Sequence, residues 1–188
     1  MSLPNPEQGA RGVLQRAVTV LRDGLDAAIE AINVRLEDEG AGYTIASPSS
    51  LEIKQHEVPA VWPSSYPAVR LQRTASTALP LLGGLGLRDE TVQFVARCYV
   101  QREHGRSSVT DDFNLADLSS EAWDFAAAVR QVLERDLPGA SGIWNVTVTQ
   151  QREQGPAQVA GDNLRYIYMI ELTLTVLQRV RENFGTTT

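Results

Sequence analysis

A chain of 188 residues is long enough for one domain to bury a hydrophobic core without disulfides or metal ions. Its composition, 43% hydrophobic and 21% charged, excludes a disordered or collagen-like chain. Asp and Glu outnumber Lys and Arg by 23 to 17, which gives a formal net charge of -6, and the chain has no basic tail. Nonspecific binding to nucleic acid is therefore disfavoured.

The single cysteine, Cys98, lies within an apolar strand pattern. This context predicts a reduced, buried thiol and disfavours a nucleophile. The sequence has no apolar run long enough to cross a membrane, and its first six residues lack the charged-then-apolar order of a signal peptide. These features predict a protein that is made and kept in the cytoplasm.

The first clear period runs from about Arg11 to Glu39 and predicts an amphipathic helix. Apolar residues recur at steps of three and four from Leu14 onward, so they share one face. Packing of this face on a sheet is favoured over a coiled-coil seam, because alanines and a glycine interrupt the stripe. Gly40 and Gly42 predict the end of the helix, since glycine readily adopts the left-handed cap conformation.

Strand signals follow at residues 51–58 and at Ala68–Arg73, with prolines between them that force an irregular crossing. Residues Thr74–Asp89 predict a loop or a hairpin excursion. Its glycine-rich part lacks the Gly-Lys-Ser/Thr end of a phosphate loop, so we interpret it as an exposed apolar loop that a neighbouring subunit covers. Thr91–Glu103 alternates apolar and polar residues and predicts a strand.

The second half of the chain begins with a polar segment, His104–Asp117. Its Asp111-Asp112 pair lacks further ligands at metal spacing, which favours a solvated loop. A second helix is predicted to begin with Ser119 or Ser120 as its cap and to stop at Leu137-Pro138-Gly139.

Two strands are predicted to close the chain, at Gly142–Arg152 and Leu164–Val180. A polar loop, Glu153–Asn163, is predicted between them, with Gly155-Pro156 as one of its turn signals. In the first strand Trp144, Val146 and Val148 are predicted to share a face. The second strand is longer than a small sheet needs, so its end is a candidate interaction element.

This order of elements predicts an α+β fold, with a largely antiparallel sheet and two main helices packed on one face. We expect one domain over residues 1–188. Residues 1–10 are predicted to form an extended arm, and residues 182–188 a flexible tail.

No catalytic constellation emerges from the residue pattern. The two histidines, His56 and His104, are far apart and have no neighbouring ligand pattern, and no serine lies in a nucleophile elbow. Glu171 would suit a general acid, but a salt bridge or a solvent-facing position is the favoured interpretation. We therefore expect no enzyme activity, no metal and no cofactor.

Aromatic and basic residues mark candidate surfaces. Trp62, Trp123 and Trp144 fit core and interface anchors better than a platform for sugars or bases. Four arginines on neighbouring predicted strands indicate either a basic stripe that faces DNA or a set of cross-strand ion pairs: Arg70, Arg73, Arg97 and Arg102.

The order of elements, the size and the lack of an active-site pattern resemble the bacteriophage tail terminator, or tail-completion, proteins. The resemblance is carried by the helix VLRDGLDAAIEAIN, the strand YPAVRLQ, the strand ETVQFVARCYVQRE, the helix SSEAWDFAAAVRQVLE and two C-terminal strands. It covers nearly the whole chain and rests on the layout and the character of these segments.

The resemblance implies a structural virion protein whose copies join into a hexameric ring. Such a ring sits on the end of the tail tube, stops its polymerisation and presents its other face to the head connector. The implied partners are copies of the chain itself, the tail tube protein and head connector or neck proteins, with DNA passing through the ring lumen and no membrane contact. The implied location is the tail–neck junction of the virion, after assembly in the host cytoplasm.

A ring subunit covers its apolar loops and spare strand edges with neighbouring subunits. The candidate interface residues lie in three predicted loops: Leu79, Leu81, Leu82, Leu85, Leu87, Asp111, Asp112, Phe113, Gln154 and Asn163. Two alternatives stay open. One is a head–tail adaptor, neck or tail-tube protein, and the other is a small α+β ligand-binding domain or enzyme with a pocket near Trp62, Tyr66 and His104.

Overall fold

The structure, a computed structural model, describes residues 10–54, 62–80, 87–103, 115–139, 142–159 and 162–181. The described elements are, in chain order, α1 (Ala10–Asp38), β1 (Ser50–Lys54), β2 (Ala68–Pro80), β3 (Leu87–Glu103), α2 (Leu115–Asp136), β4 (Ile143–Val159) and β5 (Asp162–Arg181). The strands form one sheet in the order β1-β2-β3-β5-β4. The pair β1–β2 is parallel and the other three pairs are antiparallel. The α+β prediction is confirmed.

Helix α1 forms over the predicted period, and its apolar stripe is buried against α2 and the sheet. It ends in a Schellman cap: Ala41 N donates to Leu36 O at 2.9 Å, and Gly40 N donates to Glu37 O at 3.0 Å. Gly40 has a φ of 70°, as predicted, whereas Gly42 is not among the glycines with positive φ. The prediction of a left-handed cap is therefore confirmed for Gly40 alone.

Helix α2 begins four residues before the predicted cap. It starts at Leu115, so Ser119 and Ser120 lie inside the helix and the prediction that one of them caps it was wrong. Burial explains the extension, because Leu118 is fully buried and its contact with the core continues the apolar stripe toward the N-terminus. The predicted stop is confirmed, since α2 ends at Asp136 and Gly139 has a φ of 91°.

The main core lies between the helices and one face of the sheet. Alternation along β3 and β5 places one set of side chains toward the helices. Its members on these two strands are Val92, Phe94, Ala96, Cys98, Val100, Tyr168, Ile170, Leu172, Leu174 and Val176. We call the opposite side of the sheet the outer face; it carries a small cluster of Ala68, Tyr99, Ile167 and Met169, with Tyr66 packed against it.

The strands are longer than predicted, and two predicted loops belong in part to the sheet. The segment Glu153–Asn163 was predicted as a loop, but β4 continues to Val159 and β5 begins at Asp162. Gly155-Pro156 lies at a register shift of β4, between Gln154 and Ala157, so a turn signal acts here as an irregularity within a strand. Of the two interpretations of Thr74–Asp89, the hairpin is correct, because β2 runs to Pro80 and pairs with β3 from Leu87.

Trp144 does not share a face with Val146, as had been predicted. Its side chain is 57% exposed, whereas Ile143 and Val146 are buried. A register shift between Ile143 and Asn145 inserts Trp144 as an extra residue and turns it toward solvent.

Candidate subunit-interface surfaces

The structure places four of the ten predicted interface residues on strands. Leu79 lies on β2, Leu87 begins β3, Gln154 lies on β4 and Asn163 lies on β5. Of these, Gln154 has a described side chain, which is exposed and lies opposite Met169 on the outer face. The other six lie outside the described residues: Leu81, Leu82, Leu85, Asp111, Asp112 and Phe113.

At both edges of the sheet, the strand extends beyond the described elements that lie beside it. Strand β1 pairs with β2 only as far as Gln72. On the side of β2 away from β3, no described strand therefore lies beside Arg73–Thr77, and all five of these residues are exposed. At the other edge, every residue of Thr149–Pro156 on β4 is exposed. Uncovered edges present N–H and C=O groups that can pair with another chain. The two segments are called the β2 edge and the β4 edge below.

A row of charged side chains crosses the outer face of all five strands. Register places Glu52, Arg70, Arg97, Glu171 and Arg152 in line, on β1, β2, β3, β5 and β4 respectively. Arg70 Nε donates to Glu52 Oε2 at 3.0 Å, and Arg97 Nε donates to Glu171 Oε2 at 2.8 Å. The salt-bridge interpretation of Glu171 is thus confirmed.

Two neighbouring side chains complete this row. Lys54 Nζ lies 2.8 Å from Glu52 Oε2, and its hydrogen bond, with the positive charge of Arg70, holds the pKa of Glu52 below its usual value. Gln72 Oε1 accepts a hydrogen bond of 2.8 Å from Arg97 Nη1. The row therefore contains a network of ion pairs, in which Glu52 pairs with Arg70 and Lys54, and Glu171 pairs with Arg97.

The four arginines do not form the single basic stripe that was one of the two predictions. Arg70 and Arg97 are on the outer face, whereas Arg102 pairs with Glu121 of α2 on the helix side at 2.7 Å. Arg73 is exposed and lies opposite Phe94, also on the helix side. Arg70 and Arg97 make cross-strand ion pairs, as the other interpretation predicted, whereas the ion pair of Arg102 joins a strand to a helix.

An aromatic contact lies at the end of the outer face near β1. The rings of Trp62 and Tyr99 meet edge to face at 6.3 Å, and the Arg70 guanidinium lies 5.7 Å from the centre of the Tyr99 ring. Trp62 remains 39% exposed, which fits the predicted interface anchor. Burial raises the pKa of Tyr66 to about 12. His104, the third residue of the predicted pocket, lies outside the described residues.

Polar contacts attach the β4 edge to α2. The Glu153 carboxylate accepts hydrogen bonds from the Tyr168 hydroxyl and, at 3.2 Å, from Trp123 Nε1. Ser119 Oγ donates to the Tyr168 hydroxyl at 3.1 Å. The nearby Glu121 is buried, and this burial raises its pKa, although the charge and hydrogen bond of Arg102 oppose the shift.

The outward side of α1 borders a groove of about 550 Å³, formed with residues 41–47. Asn33 holds this segment in place: Ile45 N donates to Asn33 Oδ1 at 2.7 Å, and Asn33 Nδ2 donates to Ile45 O at 2.9 Å. The Tyr43 hydroxyl donates to Asp124 at 2.7 Å, and burial together with this bond raises the pKa of Tyr43 to about 12. Val34 is 56% exposed beside the groove.

The structure also bears on the other chemistry that the sequence suggested. Cys98 is fully buried in the main core, which confirms the buried thiol, and this burial raises its pKa. Among the described residues, no group of three or more His, Cys, Asp and Glu side chains is placed to hold a metal ion. Neither α1 nor α2 is long and apolar enough to cross a membrane.

Sequence reasoning missed the α1 groove and the Glu153 contact. The first had a visible signal, because Asp23, Glu30 and Glu37 recur at seven-residue steps on one side of the helix. The second had none, since Glu153 was placed in a loop and meets residues that are 15 and 30 positions away.

No protein-family model matches the sequence, and no curated protein matches it either.

Proposed function

We propose that this chain is a structural subunit of a bacteriophage tail, a tail terminator that works without catalysis, metal or cofactor. Its copies close into a ring, hexameric by the resemblance, on the end of the tail tube. The ring stops further polymerisation and joins the tube to the head connector. The observation that carries the proposal is the pair of uncovered strand edges, the β2 edge and the β4 edge.

The length of the strands explains why these edges matter. β3 and β4 have 17 residues each and β5 has 20, whereas strands in globular proteins usually have about 3 to 10. A sheet of this length extends beyond what two helices can cover. Exposed edges of that kind favour association with other chains, and a head-to-tail contact between identical subunits generates a closed ring when its rotation closes.

The experiment is to add the purified chain to growing tail tubes and measure tube length and the mass of the assembly at the tube end. We expect tubes of uniform, shorter length that carry one ring of this chain at one end. Rings at the neck but away from the tube would favour the adaptor alternative, and incorporation along the tube would favour a tube subunit. A chain that stays monomeric in the presence of tubes would exclude all three roles.

A matched pair of variants tests the role of the edges. Ser76→Lys introduces a charge on the β2 edge, and Gln15→Lys introduces the same charge at an exposed position of α1. We expect Ser76→Lys to weaken ring formation or capping, because a charged side chain on an edge strand opposes further pairing. Gln15→Lys should leave both unchanged, and equal behaviour of the two variants would count against edge-mediated assembly.

A further inference from the structure

The two sides of the molecule carry charge of opposite sign. The described side chains of the outer face include six bases and three acids: Lys54, Arg70, Arg97, Arg152, Arg165 and Arg179 against Glu52, Asp89 and Glu171. Over residues 22–39, which comprise the second half of α1 and Glu39 directly after it, the balance is reversed, with six acids and two bases: Asp23, Asp26, Glu30, Glu37, Asp38 and Glu39 against Arg22 and Arg35. The outer face is therefore basic although the whole chain has a formal charge of -6.

Few of the acids of α1 pair with a base of the same chain among the described residues. Arg35 donates to Asp124 of α2 and lies 3.8 Å from Glu39. Within the described parts of the chain, no basic side chain forms an ion pair with Asp23, Glu30 or Glu37. Among the residues that the structure describes, this side of the helix is thus a negative surface without a basic counterpart.

The shape of this surface suits a flat partner. Asp23, Ala27, Glu30 and Val34 are all exposed and follow one another at steps of three and four, so they form a straight ridge along α1. The ridge alternates acids with small apolar side chains. Among the described elements, α1 and α2 cover only one of the two faces of the sheet, and the outer face is the other broad surface of the subunit.

We propose that the α1 ridge of one copy packs on the outer face of the sheet of the next copy. Charge complementarity selects this occupant, because the acidic ridge and the basic face belong to the same chain. Arg70, Arg97 and Arg179 of the outer face already pair with carboxylates of the same chain. Arg152 forms no ion pair within the described residues and is exposed, so it is the base that a neighbour's carboxylate would meet. The contact is head-to-tail, and only its closure into a ring rests on the proposed function.

The test is a charge swap, read out by sedimentation velocity of the full chain over a range of concentrations. Glu30→Arg places cations opposite the basic face, and Arg152→Glu places anions opposite the acidic ridge. We expect each to weaken self-association at least about tenfold, and the double variant to recover to within about threefold of the unmodified chain. Because both residues are exposed, the association should also weaken as salt increases from about 0.05 to 0.5 M.

Arg130→Glu is the matched control, since it makes the same charge change at an exposed residue of α2, away from the α1 ridge, the outer face and both strand edges. It should leave self-association unchanged, and circular dichroism should show the same fold for every variant. The proposal is overturned if the unmodified chain stays monomeric, if the single variants associate normally or if the double variant is not rescued. It is also overturned if Arg152→Glu instead abolishes binding to a labelled DNA duplex while self-association persists.

The two proposals fail separately. Rings that cap tubes but ignore the charge swap would leave the tail-terminator role intact and refute the ridge contact. Self-association that the charge swap weakens and restores as expected, but that never occurs on tubes, would support the ridge contact and refute the tail-terminator role.

Discussion

Replacing Gly142 by alanine is expected to destabilise the protein by about 2–3 kcal/mol. Gly142 has a φ of 87° and precedes β4, where its carbonyl accepts a hydrogen bond of 2.8 Å from Arg179 N. A Cβ at this position would lie only 2.5 Å from Arg179 O. Because that oxygen belongs to the backbone, no side-chain rotation can relieve the contact, and β4 must move relative to β5.

The magnitude follows from two contributions. A non-glycine residue in the left-handed region costs about 1–2 kcal/mol. Displacing the strand weakens the hydrogen bond between Arg179 and Gly142, which is worth about 1 kcal/mol. Gly139 provides the matched control, since its φ is 91° but no atom lies within 4 Å of its added Cβ. Gly139→Ala should therefore lose only about 1 kcal/mol.

Urea unfolding at pH 7, followed by circular dichroism, measures both changes. The slope of the free energy of unfolding against urea should be the same for the two variants, so that the midpoints compare stability directly. If Gly142→Ala lies within about 0.5 kcal/mol of Gly139→Ala, the steric argument for the β4–β5 junction is refuted.

Two further predictions concern the contacts of α2 with the sheet. The raised pKa of Glu121 means that its protonated form is favoured in the folded state, so the contribution of Glu121 is fully present below the unfolded pKa, about 4.3, and is lost as pH rises through the folded pKa. Arg102→Met removes the charge that opposes this shift. As pH rises from 4 to 7, the free energy of unfolding of this variant, measured by urea titration, should therefore fall by about 1–2 kcal/mol more than that of the unmodified protein. Recovery in Arg102→Met/Glu121→Leu is expected, and an unchanged pH dependence of Arg102→Met would contradict the assignment. Glu153→Ala removes the acceptor shared by Tyr168 and Trp123, so hydrogen exchange measured by mass spectrometry should accelerate about tenfold on the β4 edge and stay unchanged in β1.

The elements with a strong local period were predicted correctly. α1, β3 and β5 each carry a long apolar repeat, and the repeat indicates which side chains pack in the main core. It does not indicate that Tyr99, Ile167 and Met169 are buried on the opposite face. The Gly40 cap and the buried thiol of Cys98 follow from the same local patterns. The prediction was wrong where a local signal and burial favoured different structures. Ser119 was predicted to cap α2, but the helix begins about one turn earlier, at Leu115, because Leu118 is buried in the core.

The candidate interfaces were less predictable. Gln154 and Asn163 were assigned to a loop because glycine and proline usually mark turns. In the structure β5 offers an uninterrupted partner, and β4 keeps pairing with it on both sides of Gly155-Pro156 through a register shift. Whether such residues end a strand or interrupt it depends on the partner strand, which no local window of sequence contains.

The sequence by itself determined the two helices, the alternation of the long strands and the absence of a recognisable catalytic pattern, because these depend on residue type and spacing along one segment. Only the tertiary structure decided that β1 is parallel to β2, that Trp144 turns outward and that no described strand pairs with the open sides of the β2 edge and the β4 edge. It also separated the acidic ridge of α1 from the basic outer face. Those properties depend on which strands and helices contact one another, and these contacts are decided only when the whole chain folds.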